Sequence, residues 1–222
     1  RYFRAEGVGS RLELPNLELI TGGTYYNNRM FIQAQDGGVV DLSRVTQIVD
    51  PSGGDTRYRS IDVTAEGAAS RVELDALTQY LDRRGYDFEY GMYSTLSAKA
   101  GGTVDAPLLT SAQGVNLELD GTGTIAIGQF AQFTSGRIAV SGIDRTFTQL
   151  TDAADTEFEI TGAAVDLPVL SRIDGADLYV SAGGRLTLPQ ATSYAHAGTG
   201  DYQHRYFRAE GVGSRLELPN LE

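Results

Sequence analysis

The sequence predicts an all-β protein, a right-handed parallel β-solenoid of about eight coils plus a partial ninth. Three observations predict it. The stretch RYFRAEGVGSRLELPNLE spans Arg1 to Glu18 and recurs without one substitution from Arg205 to Glu222, at an offset of 204 residues. Inside that period a shorter, degenerate unit recurs. Short apolar/polar alternation punctuated by Gly runs throughout, which is the pattern of strands rather than helices. The 222 residues read as a single solenoid, with one period at 1–204 and the first 18 residues of the next at 205–222.

The units begin near Arg1, Arg29, Arg59, Met92, Val115, Arg137, Thr156 and Ala176, and the next begins at Arg205. Each opens with an alternating segment such as Ile61 to Ala65, Ile138 to Gly142 or Leu178 to Ala182. A small-residue turn follows, such as EGVGS, EGAAS or SAGG. Then comes the most regular part, apolar-x-apolar-Pro-x-apolar-x-x-apolar. Its clearest copies are Leu12 to Ile20, Val40 to Ile48, Val72 to Tyr80, Val165 to Ile173 and Leu186 to Tyr194. Around Arg145 to Ala153 it is weakest, because Arg145 falls where an apolar residue is expected.

Such a unit cannot bury its apolar face alone, so stacking makes the core. In-register stacking predicts three interior columns. The first is Phe3, Ile32, Val63, Leu96, Leu119, Val140, Ile160 and Val180. The second runs from Leu14 through Leu42, Leu74 and Ala106 to Leu188, and the third from Leu17 through Val45, Leu77 and Leu109 to Ala191. The alternative fold is a leucine-rich-repeat-like solenoid, since LxLPxLxxI is superficially similar. That fold needs a helix or 3₁₀ turn in every repeat. The alternating, Gly-punctuated half of each unit argues against it.

Segments such as GGRLTLPQATSY (183–194) and GAAVDLPVLSRIDGADLYVSAGG (162–184) resemble the tandem β-helix repeats of very large bacterial extracellular proteins. The resemblance is one of pattern and covers nearly the whole chain. It implies surface, adhesive or matrix roles and supplies no catalytic residues.

Composition narrows the function classes. There is no Cys, which excludes a disulfide framework, a Cys zinc site and a thiol nucleophile. The net charge is −11 and Lys99 is the sole Lys, against the basic surface that nucleic acid demands. No apolar run approaches the roughly 18 residues of a membrane span. The expected location is extracellular or at a bacterial cell surface. Neither end carries an atypical capping repeat, so the expectation is an uncapped structural unit of a filament, stalk, sheath or adhesin. Its expected partners are further copies of itself, end to end and laterally.

The units differ in length at one place, after the last apolar column. The long insertions are 21–28, 49–58, 81–91 and 195–204. They hold Tyr25, Tyr26, Tyr58, Tyr86, Tyr90 and Tyr202, among Asn, Asp, Gly and Arg. Tyr with small polar residues composes adaptable binding surfaces. This ridge is therefore the expected site of lateral contacts, and its alternative use is as a glycan- or ligand-binding surface. An outward column places Glu13, Asp41, Glu73 and Asp105 on successive coils. Arg11 and Arg71, two residues before the column, predict a solvated ion-pair face; the alternative is Ca²⁺ between the carboxylates. No other cofactor is expected. Catalysis, as in polysaccharide-cleaving β-helix enzymes, would need converging carboxylates. The one cluster, Asp82, Arg83, Arg84, Asp87 and Glu89, reads as a solvated loop. His196 and His204 lack a third ligand, so the chain reads as a non-enzyme without a metal centre.

Overall fold

The computed structural model describes residues 1–83, 93–196 and 204–222. The fold is an all-β parallel solenoid whose chain passes over three faces in turn. The first face is a nine-stranded parallel sheet, with its strands in chain order: Tyr2–Glu6, Arg29–Gln35, Ser60–Glu66, Ser94–Lys99, Val115–Leu119, Arg137–Ser141, Glu157–Thr161, Asp177–Ser181 and Phe207–Glu210. Each begins close to a unit boundary expected from the sequence. The second face starts as a five-stranded sheet and continues as a separate four-stranded one. The third is five-stranded, from Leu19–Thr21 to Gln132–Thr134, and bridges at Asp152 extend it to Arg172. No helix or 3₁₀ turn occurs among the described residues, which disposes of the leucine-rich-repeat alternative.

Alternation sets the inward side. In Arg29–Gln35, Ile32 and Ala34 are buried; in Glu157–Thr161, Phe158 and Ile160 are. Inward residues stack into columns, as parallel pairing at about 4.8 Å requires. The first column departs from expectation halfway. Phe3, Ile32, Val63 and Leu96 pair in register, but Leu96 then pairs with Leu117, and the column continues through Ile138, Phe158 and Leu178 to Phe207. The expected members Leu119, Val140, Ile160 and Val180 stand two residues on. They line up with Ala5, Ala34, Ala65 and Ala98. A two-residue shift keeps every side chain on the same face, so alternation alone does not choose between the registers.

The corners have distinct chemistry. Between the first and second faces, Asp36 and Gly37 (φ 50° and 88°) and Ala100 and Gly101 (φ 51° and 87°) turn through consecutive left-handed residues. The next residue, Gly38 or Gly102, passes over the carbonyl of Ala5 or Ala65 on the preceding coil, where a Cβ would overlap the oxygen. The second corner is the apolar-Pro-x-apolar motif. It is a β-turn in which Leu17 N donates to Leu14 O (3.1 Å), Leu77 N to Leu74 O (3.0 Å) and Leu170 N to Leu167 O (3.3 Å). Both flanking apolar residues point inward; Pro15 and Pro168 supply the φ of the second turn position, and Ser43 and Asp75 stand at that position in the turns at Leu42 and Leu74. Leu42, Leu74, Val45, Leu77, Leu167 and Leu170 are all fully buried there.

The second face breaks at the coil where the repeat is weakest. Arg145 pairs in register with Val165, a buried interior position, while Arg145 itself is half-buried and Ile125 before it is only partly covered. A guanidinium needs water, so the wall opens there and the sheet divides between Thr124–Ile125 and Arg145–Thr146. The long insertions also start later than expected. Val49 and Asp50 pair in register with Leu81 and Asp82 as the last residues of third-face strands.

Candidate functional site

The third corner, from which the long insertions leave, is polar and dry. Asp50 and Asp82 end their strands 1% and 3% exposed, and Arg59, which opens the following coil, is fully buried. Arg59 Nη2 lies 3.4 Å from Asp50 Oδ1 and also donates to the Pro51 carbonyl, while Nη1 donates to Gly53 O at 2.7 Å. One side chain thus ties the 49–58 insertion to its base. Beside it, Asp82 Oδ2 accepts from Ser94 N (3.0 Å) and Oγ (2.8 Å). Asp62 accepts from Arg29 Nη2 (2.9 Å), Ser60 Oγ (3.0 Å) and Thr95 N (3.1 Å). The Tyr80 hydroxyl donates to the Ile61 carbonyl, and burial, reinforced by the charges of Asp62 and Asp82, pushes its pKa well above the usual value. Charges so deeply buried persist only when paired and hydrogen-bonded. The sequence reading missed this cluster. Its trace is the recurrence of an Asp after the last apolar position of two consecutive coils, at Asp50 and Asp82. Asp82 therefore leaves the solvated loop expected for it; Arg84, Asp87 and Glu89 lie outside the described residues.

Above this base the insertions 21–28 and 49–58 are bonded together. Asn27 N donates to Arg57 O (3.0 Å) and Asp55 N to Thr24 O (2.9 Å). Tyr26 meets Tyr58 edge to face, with centroids 5.6 Å apart, and the Arg57 guanidinium lies over Tyr26 at 5.3 Å. Tyr25 points outward, 76% exposed. Of the six Tyr singled out in the sequence, these three are described, and Tyr26 and Tyr58 are brought together. Tyr86, Tyr90 and Tyr202 lie outside the described residues. His196 and His204 are both exposed, and His204 stands 6.3 Å from the Tyr206 ring.

The carboxylate column forms in register, Glu13 beside Asp41, Asp41 beside Glu73, and Glu73 beside Asp105. Guanidinium groups lace it. Arg11 pairs with Glu13, Asp41 (2.9 Å) and Glu73 (3.0 Å), and Arg71 pairs with Glu73 (3.4 Å) and Asp105. Among the described residues no three potential ligands converge in a way that could hold a metal ion. On the outer side of the nine-stranded sheet an open groove of about 330 Å³ lies over Ala139, between Lys99, Glu118, Arg137 and Glu159. Its charges are already paired with each other, Lys99 with Glu118 at 2.7 Å and Arg137 with Glu159. No helix among the described residues is long and apolar enough to cross a membrane. No family model, characterised protein or solved structure matches the chain.

These ion pairs carry a pH signature. The Arg57 side chain and backbone N–H hold the Asp55 carboxyl down to about 2. Hydrogen bonds from Ser43, with Arg11 adding to them, hold Asp41 below its ordinary value. A depressed folded-state pKa contributes stability above the unfolded value, near 3.9, and loses it as pH falls toward the folded value. The melting temperature is therefore expected to fall between about pH 4 and pH 2. Asp41→Asn/Asp55→Asn should flatten that limb in a thermal-melt series. An unchanged acid limb in the double variant counts against the assignment.

Proposed function

We propose that the chain is a repeat unit of a long structural solenoid, part of an extracellular filament, stalk, sheath or adhesin built by head-to-tail continuation of coils. One observation carries this reading. The 18-residue repeat appears in two contexts, and in each a different edge is covered. As residues 1–18 it pairs with the coil at Arg29, through Tyr2–Phe31 to Glu6–Gln35 on the first face and Arg11–Val39 to Glu13–Asp41 on the second. As residues 205–222 it pairs with the coil at Ala176, through Leu178–Phe207 to Ser181–Glu210 and Arg185–Arg215 to Thr187–Glu217. One sequence thus takes a neighbour on either side, which is what a coil inside a longer solenoid must do. The resemblance to tandem β-helix repeats of bacterial extracellular proteins points the same way.

The test is a chain of two periods, 1–204 followed by 1–222. Small-angle scattering should show one straight rod, longer than the single-period rod by eight strand spacings, roughly 38 Å. Two compact bodies on a flexible joint would overturn the reading.

A further inference from the structure

The outer side of the nine-stranded sheet carries one gap in an otherwise polar column. The column runs in register from Arg4 through Gln33 and Glu118 to Arg208, and every residue in it carries a polar group except Ala139. Glu118 stands beside Ala139 on the preceding coil and Glu159 on the following one. Strands about 4.8 Å apart set the backbones of these two residues roughly 9.6 Å apart across the gap. On its own strand Ala139 lies between Arg137 and Ser141, which alternation turns to the same side. One methyl group therefore floors an open groove of about 330 Å³ with longer side chains around it. The groove lies in the middle of the chain, on the outside of a sheet. Neither its walls nor its access depends on what precedes or follows the coils.

The rim of this groove is held in place by its own contacts. Lys99 pairs with Glu118 (2.7 Å), and Asn116 Nδ2 donates to Glu118 Oε1 (2.9 Å). Arg137 Nη1 donates to Asn116 Oδ1 (3.4 Å), and Arg137 also pairs with Glu159. These contacts form one continuous chain around the gap, from Lys99 at one end to Glu159 at the other. The Glu118 hydrogen bond raises the Lys99 pKa, which keeps the ammonium charged. Ser141 and Thr161 line the remaining side with hydroxyl groups. Side chains that fix one another in this way present a binding geometry that a ligand need not order.

The chemistry of that rim selects its occupant. The donors Lys99 and Arg137 alternate with the acceptors Glu118 and Glu159, and Asp120 adds a further acceptor. An anion would meet three carboxylates in a chain of net charge −11. A cation would meet an ammonium and a guanidinium. A hydroxyl group both donates and accepts, so a ligand with adjacent hydroxyls matches a rim of mixed sign. The CH face of a sugar ring suits the methyl floor. The volume is near the lower end of the range of about 300–1,000 Å³ for small-molecule sites, and the groove is open. It therefore takes a short stretch of a longer chain rather than enclosing a free sugar. We propose that this groove binds a neutral, hydroxyl-rich polysaccharide, with one sugar ring seated on Ala139 between Glu118 and Glu159. The site adds a ligand to the proposed structural role and does not rest on it.

Affinity electrophoresis of the whole chain tests this, in gels cast with galactomannan, xyloglucan, hydroxyethyl cellulose or dextran, against gels with alginate and with no polysaccharide. Migration should be retarded in at least one neutral gel and not in alginate. Ala139→Gln fills the gap with the side chain that the same column carries at Gln33. It should raise the dissociation constant for the retarding polysaccharide by about tenfold or more. Ala139→Ser leaves the gap open and should hold that constant within about twofold. Arg137→Met removes a rim donor while keeping the stem, and should weaken binding by about fivefold. Gln33→Ala, in the same column on an earlier coil, should leave binding unchanged. Ala139 and Gln33 point away from the core, and the melting temperature of each variant checks that the fold is kept. Retardation that survives Ala139→Gln overturns the site. Retardation by alginate, alone or beside the others, overturns the ligand class, as does retardation in no neutral gel. The two-period rod would leave the structural role standing in each of these cases.

Discussion

Replacing Arg59 by leucine is expected to lower the unfolding free energy by about 3–5 kcal/mol, the cost of breaking a buried ion pair from one side. The guanidinium is fully buried, lies 3.4 Å from Asp50 and donates to the carbonyls of Pro51 and Gly53. Leucine leaves Asp50 in a dry corner without its guanidinium and leaves those two carbonyls without this donor. Water must enter or the corner must open. Urea unfolding measures the loss, and limited proteolysis locates it, with cleavage expected inside 49–58. The companion Asp50→Asn/Arg59→Leu should recover a good part of the stability, since no charge then remains on the pair. A single-variant loss below about 1 kcal/mol would show that the corner is wet and the pair solvated.

The second large effect is expected at Phe133→Ala, again about 3–5 kcal/mol, here from lost transfer free energy and an unfilled cavity. Phe133 is fully buried on the third face. It pairs in register with Ala112, which in turn pairs with Tyr80, so a small residue separates two large rings along the column. Phe130 meets Phe133 edge to face at 5.7 Å. With Ala112 already small, the vacated volume has no neighbour on that side able to fill it. In a solenoid each coil touches only its neighbours, so the damage should stay local. Hydrogen exchange should show faster exchange at the amides of Ala112, Phe133 and Ala153, with the Arg29 and Asp177 strands unchanged. Val212, fully exposed in its turn, is the control, and Val212→Ala should shift stability by less than about 0.5 kcal/mol. Uniform loss of protection along the chain would contradict the one-dimensional picture.

Much of this fold was legible because its rules are local. Alternation assigned Ile32, Val63, Ile160 and Val180 to the interior, and the Leu-Pro-x-Leu spacing placed both of its flanking apolar residues in interior columns. The in-register column of Glu13, Asp41, Glu73 and Asp105, and the arginines beside it, followed from counting. The Arg145 anomaly was visible as one wrong residue type at an interior position. Its consequence, a divided sheet, was not, because it depends on how far the wall opens to hydrate a guanidinium.

The sequence by itself determined the period, the inside and outside of each strand, and the likeness of residues 1–18 to residues 205–222. These follow from identity and from a side-chain repeat of two, and neither needs a neighbour to define it. Tertiary structure alone decided three things. It chose Leu117 over Leu119 as the partner of Leu96, since a shift of two residues costs nothing in facing and only hydrogen bonding between coils settles it. It moved Asp50 and Asp82 out of the loops expected for them into a buried cluster with Arg59 and Asp62. Their burial depends on strands from different coils and different faces closing on one corner, a juxtaposition of residues far apart in the chain. It also gave the two copies of one segment opposite covered edges, a difference in surroundings with no difference in sequence.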